Sequence, residues 1–143
     1  MKFKYKKIKF KPTPAFPERK YLYKPIIPVI LHYKKFSIGY EALIDSGADI
    51  SIFHAEIAEL LGIVVKKGKM ETFGGITGDG AKAYFHNLTL ETGGIKFENI
   101  PIGFSYGISP QGYGILGQAG FFDKFRIIFD LKKEQIELRP KTR

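Results

Sequence analysis

The stretch EALIDSGADIS, Glu41 to Ser51, runs an apolar segment straight into an acid. Ala42, Leu43 and Ile44 read as the end of a buried strand, and Asp45 follows at once with the turn-forming pair Ser46–Gly47. Asp45 is either an ordinary surface-turn aspartate or a carboxylate held at the floor of a cleft. Gly47 suits the second reading: without a Cβ it lets backbone or ligand come close, and a tight loop can aim N–H groups at the acid. The tripeptide Asp-Ser-Gly is too short to decide alone. Its surroundings add weight, because ALIDSGADISIF is apolar on both sides, with Asp45 and Asp49 as the acidic exceptions.

Outward from this loop the chain reads as strands and turns. Upstream, two strands are expected near Ile26–Tyr33 and Ser37–Ile44, with a turn at Lys34–Lys35. Downstream, FHAEIAELLGI switches to a helical period with Ile57, Leu60 and Leu61 on one stripe and Gly62 at the C-terminal cap. Met70 to Glu91 reads as strand, glycine-rich tip and long strand; Thr92–Gly94 turns into IKFENIPIGFS. YGISPQGYG is a loop, ILG a short buried strand, QAGFFDKF a second short helix, and RIIFD–LKKE–QIELR a closing hairpin.

A chain of 143 residues suggests one domain, and 44% hydrophobic residues can fill a core. Thirteen Phe, eight Tyr, sixteen Gly and eight Pro favour a β-rich fold with many turns. There are no cysteines, which excludes disulfides and thiol catalysis. No stretch approaches the ~18 uninterrupted apolar residues of a membrane span, and MKFKYKKIKF lacks the apolar core of a secretory signal, so a cytoplasmic location is the default. The net charge of +9 invites a nucleic-acid reading. Its distribution argues against one: residues 1–24 hold nine Lys/Arg against one Glu, while the rest is nearly balanced. The expected organisation is a basic, Pro-containing arm over 1–24, solvated or touching an acidic partner, and a body over 25–143. His32, His54 and His86 lack metal-ligand spacing, and GGITGDGAK fails the phosphate-loop pattern because Ala81 separates Gly80 from Lys82. No metal or cofactor is expected.

The loop Asp45-Ser46-Gly47-Ala48-Asp49 resembles the active-site loop of aspartic peptidases, in particular the single-lobe retropepsin type. Two further segments agree, in the right order. FGGITG, from Phe73, resembles the flap whose Gly74-Gly75-Ile76 tip closes over substrate, and Ile115-Leu116-Gly117 resembles the apolar-apolar-Gly segment that supports the site. The resemblance spans residues 42–138 and implies an all-β fold: a single-lobe, closed β-barrel with a flap hairpin and one or two short helices. It implies peptide-bond hydrolysis with Asp45 as the catalytic acid, Ser46 locking the loops together, and Gly47 and Asp49 touching substrate. Viral members commonly carry Arg where this chain has Gln118, which removes an expected ion pair with Asp49. The C-terminal hairpin stands where compact viral members form their terminal dimer sheet.

Hydrolysis by carboxylates needs two of them: one to activate water, one protonated to polarise the carbonyl. The chain has one Asp-Ser-Gly. The resemblance therefore implies a homodimeric aspartic endopeptidase acting on peptide or protein substrates, with Asp45 of each subunit facing its twin across a two-fold axis. The alternative is a non-catalytic module of the same fold that dimerises or binds peptide.

Overall fold

A computed structural model describes residues 1–74, 80–109 and 112–141. The strands are β1 (Lys2–Lys4), β2 (Lys6–Lys9), β3 (Tyr21–Lys24), β4 (Ile26–Tyr33), β5 (Phe36–Ile44), β6 (Ile52–His54), β7 (Lys69–Phe73), β8 (Ala81–Thr92), β9 (Ile95–Ser105), β10 (Gly114–Leu116), β11 (Phe125–Asp130) and β12 (Gln135–Pro140). One α-helix, α1 (Ala55–Leu60), follows β6, and a single 3₁₀ turn covers Val65–Lys67. None of the described helices is long and apolar enough to cross a membrane.

Seven strands form the main sheet in the order β4-β5-β10-β6-β9-β8-β7, and β4 also pairs with β8. That last pairing, Ile30↔Glu91 to His32↔Thr89, closes six strands into a barrel and leaves β7 outside the ring on β8. Closure leaves no open edge within the ring, so the free edge of this sheet among the described residues is that of β7. The fold is thus the all-β, single-lobe closed barrel that the retropepsin resemblance implied. Its interior is apolar: Ile27, Leu31, Phe53, Ile100, Ile102, Phe104 and Leu116 are fully buried. Alternation produces this filling, as in β4, where Ile27, Val29 and Leu31 point inward while Pro28 is exposed.

β4 and β5 form the expected hairpin, turning at Lys34, whose φ is +54°. α1 also forms where its period places it, with a different stripe. Ile57, Ala58 and Leu61 are buried, whereas Leu60 is 67% exposed. The helix ends in a Schellman motif: Gly62 N–H donates to the Glu59 carbonyl (3.0 Å) and Ile63 N–H to that of Ala58 (2.9 Å), with Gly62 at φ +76°. The second helix expected over QAGFFDKF is absent. Gly120 at φ +95° breaks a right-handed run, and Phe122 and Asp123 N–H reach back five residues to the Gly117 and Gln118 carbonyls, so the segment forms wide turns.

Within the expected basic arm, residues 11–20 are exposed while the strands on either side pair. β1 adds to the closing hairpin, giving a second sheet in the order β1-β12-β11, with Phe3 opposite Ile136 and packed against the core. β2 and β3 form a two-stranded ribbon in which Lys7 faces Tyr23 and Lys9 faces Tyr21. The Lys6 ammonium ties that ribbon to the barrel at 2.8 Å from Glu41.

Candidate active site

Asp45 leaves the end of β5, where β10 runs parallel to it with Leu116 beside Ile44. The Asp45 N–H donates to the Leu116 carbonyl at 3.0 Å, so the last barrel bond is made by the acid's own backbone. The chain then turns sharply. Ala48 N–H donates to the Asp45 carbonyl (3.2 Å), and Gly47 N–H donates to Asp45 Oδ1 (2.9 Å). That second bond fixes the orientation of the carboxylate. A Cβ on Gly47 would sit 3.3 Å from the same oxygen, tight enough to push it away. Asp45 is half-buried, while Ser46, Gly47 and Asp49 are exposed.

Residues 116–119 clamp the far side of this loop. Gln118 N–H donates to the Ala48 carbonyl and Ala119 N–H to that of Asp49, both at 2.9 Å. The Ser51 hydroxyl, fully buried, donates to the Ala119 carbonyl (2.9 Å) and accepts from Gly117 N–H (3.1 Å). Gly117 has no room for a side chain, since a Cβ there would run into the carbonyl oxygens of Ile50 and Ala48. Position 118 holds the loop through its backbone while the Gln118 side chain is exposed, so the loop is secured without an Arg–Asp49 pair. Among the described residues no ion pair involves Asp49.

The acid opens onto a cavity of about 610 Å³. Asp45, Gly47, Ala48 and Asp49 form its floor, Ile50, Ile52 and Ile115 one wall, and Glu71, Thr72, Phe73 and Gly74 of the β7 side the other. Ile108 closes one end, from the loop that the Tyr40 hydroxyl holds by donating to the Gly112 carbonyl (2.9 Å). Of the sequence-expected residues, Asp45, Gly47, Ala48, Asp49, Phe73, Gly74 and Ile115 therefore meet around one space, while Ser46 is exposed and does not line it. Leu116 and Gly117 are buried behind it as support. Gly75 and Ile76, expected at the flap tip, lie outside the described residues.

Sequence reading missed Ser51, Ile50, Ile52, Glu71, Thr72 and Ile108. Ser51 sits between two Ile in a run that reads as strand, and its role needs residues 117–119 brought alongside. Glu71 was legible in principle, lying two residues before Phe73 and so on the same face of a strand. Among the described residues no cluster of three or more His, Asp or Glu is placed to hold a metal.

A family model described as aspartyl protease matches residues 37–119, more than half of the chain and the whole of the acid loop and its clamp. No curated protein sequence matches. Among solved structures, a retropepsin-like aspartic protease from Rickettsia conorii superimposes with a TM-score of 0.56 at 22% identity, over 79% of this chain and 87% of that one. EIAV protease in complex with the inhibitor HBY-793 gives 0.46 at 18% identity, over 66% of this chain and 82% of that one. The family match runs across the acid loop and its clamp, and the closed single-lobe barrel that carries them shares the fold of the retropepsin-like Rickettsia protease: this chain belongs to the aspartyl protease family.

Proposed function

We propose that the protein is an aspartic endopeptidase whose site is completed by two copies of the chain. The observation carrying this reading is a single half-buried Asp45 at the open end of a clamped loop, facing a cavity with room for a peptide. One carboxylate cannot act as acid and base at once; two sharing a site can, because only one ionises easily, and aspartic proteases are the standard illustration of that effect. The ionised member takes a proton from water as its oxygen adds to the scissile carbonyl carbon. The protonated member donates to the carbonyl oxygen. The diol collapses as the C–N bond breaks: the carboxyl that took the water proton gives it to the amine nitrogen, the other carboxylate takes a diol proton, and the pair returns to its starting state. In this reading Ser46, exposed beside the acid, would meet its twin, and the exposed Gly47 and Asp49 would offer backbone and carboxylate to the substrate. The β7 side, with Phe73 and Gly74, would cover the peptide and exclude water.

The test is Asp45→Asn assayed on a peptide library from acidic to neutral pH, with circular dichroism to confirm folding. Cleavage should fall by about 10³-fold or more with the spectrum unchanged. Surviving cleavage in the variant ends the proposal; a wild-type protein that cleaves nothing, yet binds peptides, establishes the non-catalytic module instead.

A further inference from the structure

We propose that β7 reads charge on the substrate, selecting peptides with an acid-x-base-x-apolar pattern leading toward the scissile bond. This rests on the peptidase reading above and names its substrate class.

β7 is the terminal strand of the main sheet; β8 occupies one edge, and no described strand pairs with the other. Such an edge accepts an extended peptide as an added strand. Alternation puts Lys69, Glu71 and Phe73 on one face of β7, opposite Phe85, Ala83 and Ala81 of β8. That face borders the groove: Glu71 and Phe73, with Thr72 between them, line the cavity beside Asp45, and Lys69, Glu71 and Phe85, without Met70, line the basin next to it. The cavity does not stop there. Ile50 and Glu71 also border an adjoining basin of about 560 Å³, whose further walls include Lys67, Lys69 and Asn87. The groove therefore runs outward past Phe73, then Glu71, then the Lys69–Lys67 pair.

Among the described residues, Glu71, Lys67 and Lys69 enter no ion pair. Their charges are open to a ligand. A peptide strand added along β7 places every second side chain on the same face, about 6.6 Å apart, which is the spacing of Phe73, Glu71 and Lys69 themselves. Directly opposed residues on paired strands share a face and favour opposite charge. The substrate residue opposite Phe73 is thus apolar, the one two places further out is basic against Glu71, and the one two places beyond that is acidic against Lys69 and Lys67. In a two-fold assembly the twin repeats the pattern on the other side of the cut.

Cleavage products of a randomised peptide library, identified by mass spectrometry, test this with wild type, Lys69→Glu and Glu71→Lys. Wild type should enrich an acidic residue two places outside a basic one. Lys69→Glu should invert the outer preference and Glu71→Lys the inner, each by about three- to tenfold in kcat/KM, carried by KM and shrinking with added salt. A flat charge profile at both positions, or one that both reversals leave unchanged, overturns the proposal. If wild type cleaves no peptide, the peptidase reading fails and direct binding decides the charge pattern. Fluorescence anisotropy would compare a labelled acid-x-base-x-apolar peptide with its charge-swapped twin: tighter binding of the first upholds the pattern, and equal binding or none sinks it.

Discussion

Gly117 and Ser51 hold the acid loop by different means. Gly117 has no positive φ, so its requirement is space, and the obstructing atoms are backbone carbonyls that cannot swing aside. Gly117→Ala should cost about 3 kcal/mol in chemical denaturation, with cleavage falling further than stability alone explains. Ser51→Ala strands the Gly117 N–H and the Ala119 carbonyl, and should cost about 1–3 kcal/mol in the same measurement. Asp45, Gly47 and Gly117 were legible in the sequence because their chemistry sits in short motifs. Ser51 was not, because its partners lie 66 and 68 residues away and only the fold brings them near.

Among the elements, α1 and the turns after β10 show what local pattern can and cannot carry. The helix start, length and Gly62 stop were readable, because a Schellman ending needs a residue that tolerates a left-handed φ. A Cβ at Gly62 would meet the Phe36 ring at an ordinary 3.5 Å, so conformation sets the cost. Gly62→Ala should lose about 1–2 kcal/mol, read from the denaturation midpoint. Over 118–125 the expectation of a short helix fails, because Gly120 at φ +95° interrupts the right-handed run. Phe121, in the turns, and Phe125, at the start of β11, instead meet in the core with tilted rings whose centroids are 4.9 Å apart. In β12, the hydrogen bond from the Arg139 guanidinium, 2.9 Å from Glu137, holds that carboxyl below its ordinary range against partial desolvation, with smaller help from the positive charges of Arg139, Lys2 and the N-terminus. A lowered folded value means the stabilisation is present above the usual carboxylate range and is lost as pH falls through the folded value. Stability measured against pH should therefore decline less steeply on acidification in Glu137→Gln than in wild type.

For the whole molecule, the closed barrel was legible in outline because strands, glycine-rich tip and acid loop follow one another in order. The place of residues 1–24 was not, because alternating Lys with apolar residues fits a solvated arm and an edge strand equally well. Assembly is also a property of this scale. If two chains complete one site, specific activity should fall on dilution as the subunits separate, and sedimentation at the same concentrations should show monomer appearing in step. Activity that holds constant in a proven monomer would place the second acid elsewhere.

The pairing of Lys2 with Glu137 has a consequence for how the protein is made. On the ribosome β1 emerges long before β12, its partner strand, is translated. Until then Phe3 has no neighbour in β12, and the unpaired Lys-rich segment stays in water while the barrel strands find one another. A nascent chain stalled before residue 135 should expose this segment to protease, and releasing the stall should protect it.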